Sequence, residues 1–292
     1  MTQADSGRLY VVATPIGNLG DLSPRALAVL GEVDVVAAED TRVSGRLLRT
    51  HGVATPLVSV HEHNEASVAP RLVERMRAGE RVALISDAGT PLLSDPGYVL
   101  VALAHQEAVP VVAVPGPSAV MAALSIAGLP SDRFVFEGFL PGRAGARRAR
   151  LAALADEPRT LVFFEAPHRI QATLEDAAAV LGDERLGTLC RELTKLHEEA
   201  RRAPLGALAA WIGEHSEKRR GEAVLVVEGR GERGPAPRAL DPDQVLATLL
   251  EDLPLKRAAA VAAKLTGAAR NDLYRRGLKL RDDGTGDGGK FR

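Results

Sequence analysis

GERVALISDAGTPLLSDPG, residues 79–97, runs a helix stop, a buried strand and a ligand-sized loop together. Gly79 closes a stretch of helical period that begins near Glu65, and a glycine just past the last turn is a common way to end a helix. Val82–Ile85 is short, apolar and rich in branched side chains, as a strand buried on both faces must be. The loop that follows has neither the lysine of a P-loop nor the G-x-G-x-x-G spacing of a dinucleotide fingerprint. Asp87 and Asp95 would repel an anion at close range and welcome hydroxyls or a cation. Gly89 and Gly97 let the backbone approach a ligand.

The same unit recurs along the chain. Apolar runs at Leu9–Ala13, Val33–Ala38, Leu57–Val60, Val109–Val114, Leu161–Phe164, Leu186–Cys190 and Val224–Val227 alternate with helical periodicity, which predicts an α/β fold. Ser23-Pro24 supplies an N-cap and an N1 proline to the helix behind it, and Gly31 is read as that helix's stop. From Gly128 to Arg159 the alternation pauses, suggesting a hinge and a surface helix, so we place an N-terminal α/β domain at 1–128 and a second at 129–229. GRGERGPAPR gives a linker over 230–240, three short helical patterns fill 241–281, and 282–292 has the composition of a disordered tail.

A chain of 292 residues with 46% hydrophobic and 26% charged side chains can bury two cores and an appendage. Its formal charge of -1 excludes a globally basic nucleic-acid binder, though a local basic patch is still allowed. One cysteine, Cys190, permits no internal disulfide, and neither a leader peptide nor a membrane-length apolar run is seen, so a soluble cytoplasmic protein is expected.

In open α/β sheets ligands bind beyond the carboxyl ends of the strands. The loops there are TPIGNLGD (14–21), EDTR (39–42), HEHNE (61–65), the aspartate loop, PGPSA (115–119), EAPHR (165–169) and RELTK (191–195). His61 and His63 could alternate on one face of an extended segment as metal ligands, but clear partners are lacking and no metal site is expected. EDTR alone could be a surface ion pair of little energetic weight; small-residue turns alone could be ordinary strand exits.

Taken together, TPIGNLGD, AAEDTR, HEHNE, SDAGTPLLSDPGY and AGLPSDRFVFEGFLP resemble the tetrapyrrole methylase superfamily of S-adenosylmethionine methyltransferases. Within it they are similar to the bacterial enzymes that 2′-O-methylate cytidine in small-subunit ribosomal RNA, over about Gly7 to Leu280. The resemblance implies two α/β domains with S-adenosylmethionine folded in the cleft between them, a small helical C-terminal domain, and a homodimer. It further implies that the cofactor is held at Pro15, Asp87, Ala88, Gly89, Thr90, Pro117, Ser118 and Ala119 from the first domain, with Phe164, Leu193 and Ala223 closing from the second. Because a ribose hydroxyl is a poor nucleophile, a proton acceptor near it would help. Asp40, Arg42, His63 and Asn64 are the candidates, a carboxylate or imidazole for the proton and the others for ribose and phosphate.

Leu255–Arg281 carries eight basic residues against one acid, Asp272. Such a block suits phosphate contact, although a solvated helical bundle would also need charge. Lys256, Arg257, Lys264, Arg270, Arg275 and Arg276 are therefore expected to bind RNA, with Arg147 and Arg148 of GRAGARRAR alongside. The expected partner is small-subunit ribosomal RNA within the assembled subunit, and no membrane. Two other readings stay open: a methylase of a corrin precursor, for which a basic arm has no use, and an RNA-binding assembly factor without cofactor, which would show no heat on titration with S-adenosylmethionine.

Overall fold

A computed structural model describes residues 7–230 and 241–284, with the last helix's side chains described to Leu278. The chain divides into a large unit, 1–231, and a small one, 232–292. The expected linker therefore falls outside the described residues from 231 on, as does the tail beyond 284. Residues 282–284, expected in that tail, still belong to the last helix.

The large unit begins with β1 (Arg8–Val12), α1 (Pro24–Glu32), β2 (Val35–Ala38), α2 (Thr41–Thr50), β3 (Leu57–Ser59), α3 (Glu65–Arg77), β4 (Arg81–Ile85), α4 (Tyr98–Gln106), β5 (Val111–Val114) and α5 (Ala119–Ile126). Its five strands form one parallel sheet in the order β3-β2-β4-β1-β5. Successive strand residues feed opposite cores: Leu9, Val35, Val82 and Leu84 face one side, Val12, Val36, Ala83 and Ile85 the other. Double-sided burial is why these strands read as unbroken apolar runs. Ser23 does cap α1, its hydroxyl accepting from the Ala26 N–H at 3.0 Å, with Pro24 at N1. Gly31 does not stop that helix, which runs on to Glu32 and ends at Val33.

The second half adds β6 (Phe134–Phe139), α6 (Ala144–Ala153), β7 (Thr160–Glu165), α7 (Ile170–Leu181), β8 (Leu186–Arg191), β9 (Glu199–Pro204), α8 (Leu205–Glu214) and β10 (Ala223–Val227). These strands make a mixed sheet, β6-β7-β10-β8-β9, in which only the β6 and β7 pair is parallel. The pause expected at 128–159 therefore contains a strand, β6, and β9 also went unforeseen. Both are edge strands, half out of the core: β9, EARRAP, carries no apolar run, and that of β6, FVFEGF, is broken after three residues by Glu137 and Gly138.

One face of this sheet packs Leu161, Phe163, Leu189 and Leu225 under its own helices. The opposite face sets Val162, Cys190, Val224 and Val226 against Val120, Ala123 and Leu124 of α5 and against Ile16. The two sheets thus share a core.

The small unit is three helices, α9 (Pro242–Asp252), α10 (Leu255–Thr266) and α11 (Arg270–Gly284), around Leu246, Ala258, Ala259, Ala262 and Leu273. Asp241 caps α9, and Gly267 ends α10 in the left-handed region at φ 72°.

Candidate active site

Strand order fixes the order of the polar loops along the first sheet's carboxyl edge: HEHNE, EDTR, the aspartate loop, TPIGNLGD, PGPSA. They are bolted together by hydrogen bonds between distant residues. Thr14 and Gly89 exchange backbone bonds at 2.9 and 3.1 Å, and the Thr90 hydroxyl donates to the Pro117 carbonyl at 3.0 Å. Gly89 stands at φ 85°, where a Cβ would also lie 3.2 Å from Ile16 Cγ2. Both of its backbone polar groups are spent on Thr14, so it serves a ligand as shape. Leu92 and Ser94 take positive φ without being glycine, strain that a packed surround must hold in place.

From this rim a cavity of about 450 Å³ reaches the shared face of the second sheet. Of the residues expected around the cofactor, Asp87, Ala88, Gly89, Thr90, Ser118, Ala119, Phe164, Leu193 and Ala223 line it. Pro15 and Pro117 lie just behind, next to the lining Ile16 and Ser118. Much of the wall is apolar, and Phe164 packs edge-on between Phe136 and Phe139, with ring centroids at 4.8 and 5.6 Å. Asp95, paired with Asp87 in the reading of the loop, joins it in the wall, and so does Glu39, to which the sequence reading gave no role. Burial raises the pKa of all three carboxyls, and repulsion adds to it: from Asp95, Asp87 and Asp40 on Glu39, from Asp40 on Asp87, and from Asp87 on Asp95. Ser118 Oγ is buried without a hydrogen-bond partner among the described residues. Crowded carboxylates, an orphan hydroxyl and apolar walls fit a ligand that carries a cation, hydroxyls and a flat apolar ring.

The catalytic candidates separate. Asp40 caps α2, accepting from the Arg42 N–H at 2.8 Å, and its carboxylate also pairs with the Arg42 guanidinium at 2.6 Å. That pairing holds its pKa down to about 2, which makes it a feeble base. Residues 61–64 form a turn, so His61 and His63 do not alternate along an extended segment; their rings meet edge-on at 6.1 Å. Asn64 spends its amide locally, accepting from the His61 N–H at 2.9 Å and donating to the Ser59 carbonyl at 3.1 Å. The last residue of the motif, Glu65, is buried and accepts from the Leu100 N–H at 2.9 Å, capping α4 where Gly97 has no side chain to do so. Of the four candidates, His63 is exposed and has no hydrogen bond or ion pair of this kind among the described residues. Among the described residues no cluster of three or more His, Cys, Asp or Glu could hold a metal.

RELTK reaches the same cavity from the second sheet. Lys195 bridges Glu192 at 3.1 Å and Glu222 at 2.9 Å. A Cβ on Gly17 would sit 2.5 Å from Lys195 Cγ, so TPIGNLGD and RELTK meet only because Gly17 has none.

Of the expected RNA contacts, Lys256, Arg257, Lys264, Arg270, Arg275 and Arg276 are exposed on the small unit. Arg276 pairs with Asp243 at 3.1 Å and Arg275 with Asp272. Arg147 is a correction: its side chain is 5% exposed and paired with Asp176 at 2.7 Å, because α6 turns that face onto α7. Arg148 is exposed and shares the same aspartate at 3.2 Å.

Residues 8–209 match the family model of tetrapyrrole (corrin/porphyrin) methylases, and 236–281 that of the RsmI C-terminal HTH domain. The chain is 54% identical over 278 residues to ribosomal RNA small subunit methyltransferase I of Pseudomonas aeruginosa, covering 94% of this chain and 98% of that one. The Escherichia coli O157:H7 protein of the same name is 49% identical over 274 residues, covering 94% and 95%. Among solved structures, uroporphyrin-III-C-methyltransferase from Thermus thermophilus aligns at TM-score 0.54 and 25% identity, covering 76% of this chain and 94% of that one. Diphthine synthase aligns at 0.58 and 16% identity, covering 77% and 90%, and shows the shared fold. No described helix is long and apolar enough to cross a membrane.

Proposed function

Because the chain belongs to the tetrapyrrole (corrin/porphyrin) methylase family, we propose that it transfers a methyl group from S-adenosylmethionine to the ribose 2′-hydroxyl of a cytidine in small-subunit ribosomal RNA. The observation that carries the cofactor is the cavity wall: Glu39, Asp87 and Asp95 face one largely apolar space in which burial makes their charge costly. A bound sulfonium and ammonium offset that cost. When bound, S-adenosylmethionine supplies a methyl group already activated by its positive sulfur.

The chain's own residues then have assignable tasks. The first turn of α5, opened by Ser118 and Ala119, offers backbone N–H groups to a carboxylate, and the Ser118 hydroxyl gains a partner. Phe164, Leu193 and Ala223 give an adenine an apolar wall from the second sheet, where water is kept out. Held loops position two reactants, an effect worth ~7–11 kcal/mol in favourable intramolecular cases. On the HEHNE side of the rim, His63 accepts the hydroxyl proton, and Arg42 steadies the phosphate backbone of the acceptor.

Ribosomal RNA as substrate is supported by the names of the relatives and by the basic surface of the small unit. The superfamily resemblance supports a homodimer; the reading places it in the cytoplasm, with the assembled subunit as the expected form of the substrate. The test offers labelled S-adenosylmethionine with intact small subunits and with naked ribosomal RNA, followed by nuclease digestion and mass spectrometry. 2′-O-Methylcytidine from intact subunits is the expected product. Label on a base, or none with either substrate, rejects the assignment.

A further inference from the structure

The small unit's last helix divides cleanly into two faces. Leu273 and Gly277 turn inward, and a Cβ on Gly277 would lie 2.4 Å from Leu255 Cδ1, so α11 crosses α10 at close range. Arg276, on the flank of that buried face, is tied to Asp243 of α9. Asn271, Tyr274, Arg275 and Leu278, at i, i+3, i+4 and i+7, share the opposite face, and all four are exposed. Tyr274 is 40% exposed and Leu278 45%. One turn before Tyr274 stands Arg270, which makes no ion pair among the described residues.

Tyr274 keeps two-fifths of its surface in solvent, and aromatic side chains beside cations are what single-strand binders use to stack a base and hold its backbone. Lys256, Arg257, Lys264 and Arg270 are exposed on the same small unit and pair with no acid among the described residues, so the unit offers cations to a phosphate backbone. Duplex RNA hides its base faces and would offer the ring nothing, whereas an unpaired base offers a π-face of its own size.

We propose that Tyr274 is a stacking platform for an unpaired RNA base, with Arg270 and Asn271 gripping the adjoining backbone, so that the small unit selects single-stranded over duplex RNA. The inference rests on RNA being the partner, as read above. Base-on-aromatic stacking is sequence-tolerant, so the platform gives strand preference without reading sequence.

Equilibrium binding by the full chain decides it, with a single-stranded RNA oligonucleotide and a blunt RNA duplex of equal length as probes at three salt concentrations. Tyr274→Ala is expected to weaken single-strand binding from roughly fivefold to roughly 150-fold, the ~1–3 kcal/mol of one stacked base. Duplex binding and the salt slope should stay as they were, and Tyr274→Phe should bind like the parent. Arg270→Ala should weaken both probes and flatten the salt slope by ~0.7. Parental affinity in Tyr274→Ala overturns the platform, as does an equal loss on both probes. A lowered melting temperature or altered sedimentation of Tyr274→Ala also overturns it, because the ring then packs on protein. If the parent binds neither probe nor small subunits, the RNA reading itself falls.

Discussion

The backbone N–H of Asp40 donates to Asp87 Oδ1 at 3.1 Å, across 47 positions of sequence, and joins the loop after β2 to the loop after β4. Asp87 therefore has two duties, a structural acceptor on one oxygen and a charge in the cavity wall. Asp87→Asn keeps an oxygen acceptor and removes the charge; Asp87→Ala removes both. Calorimetry should show Asn weakening S-adenosylmethionine by about tenfold, ~1.4 kcal/mol, with an unchanged melting temperature. Ala should lose more affinity and some stability as well, since the Asp40 N–H loses its partner. Parental affinity in both variants contradicts the cation-binding cavity.

The three wall carboxyls give the site a pH signature. Burial, the largest cause, and repulsion raise Glu39 above 4.5 and Asp87 and Asp95 above 3.8, so the fold binds those protons more tightly than the unfolded chain does. Stability of the free protein from these groups thus declines as pH rises through that window. A bound cation reverses the balance by favouring the charged forms. Affinity for S-adenosylmethionine should be greatest above the raised values and fall as pH drops through them, which titration at several pH values measures directly. A flat profile would show that the carboxylates do not feel the ligand.

Proton acceptance is expected at His63 and not at Asp40. With its carboxylate held near 2 by Arg42, Asp40 stays ionised at every working pH. Asp40→Asn, which preserves a capping oxygen, should leave the shape of the pH–rate profile intact in single-turnover methyl transfer. His63→Ala should lower the rate by roughly a hundredfold or more while the cofactor affinity holds. Chelator should have no effect on either. The opposite ranking would return the proton to Asp40.

Arg147 is a stability residue. Removing one partner of a buried pair costs ~3–5 kcal/mol when the other is left bare, but Arg148 at 3.2 Å would still hold Asp176. Arg147→Ala should therefore show a drop in chemical-denaturation stability below that range, with the salt dependence of RNA binding unaltered. Arg148→Ala, at an exposed position, should cost little.

Deleting residues 239–292 separates the two units. Cofactor affinity should survive, since every cavity residue lies before Gly229, but binding to small subunits should weaken and lose salt dependence by ~0.7–0.9 in log–log slope per phosphate contact removed. Unchanged slope with weaker cofactor binding would mean that the small unit braces the fold and does not grip RNA.

The sequence alone determined the α/β class, the polar loops that follow its strands, most of the residues that line the cavity and the helical C-terminal unit. Each of these is written in local chemistry: strands buried on both faces must be apolar throughout, helices need caps, and tight exits need Gly89 and Gly267 at positive φ. Tertiary structure decided what depends on who stands beside whom. β6 and β9 escaped notice because edge strands such as EARRAP keep charge on their open side. Glu39 and Asp95 become wall residues only when parallel pairing sets β2 against β4. Asp40 lost its role as a base to Arg42 and Asn64 its substrate contact to its own turn, while Arg147 left the surface for Asp176. A side chain's chemistry is set by its residue type, but its availability is set by its neighbours, and those are fixed only when distant segments pack.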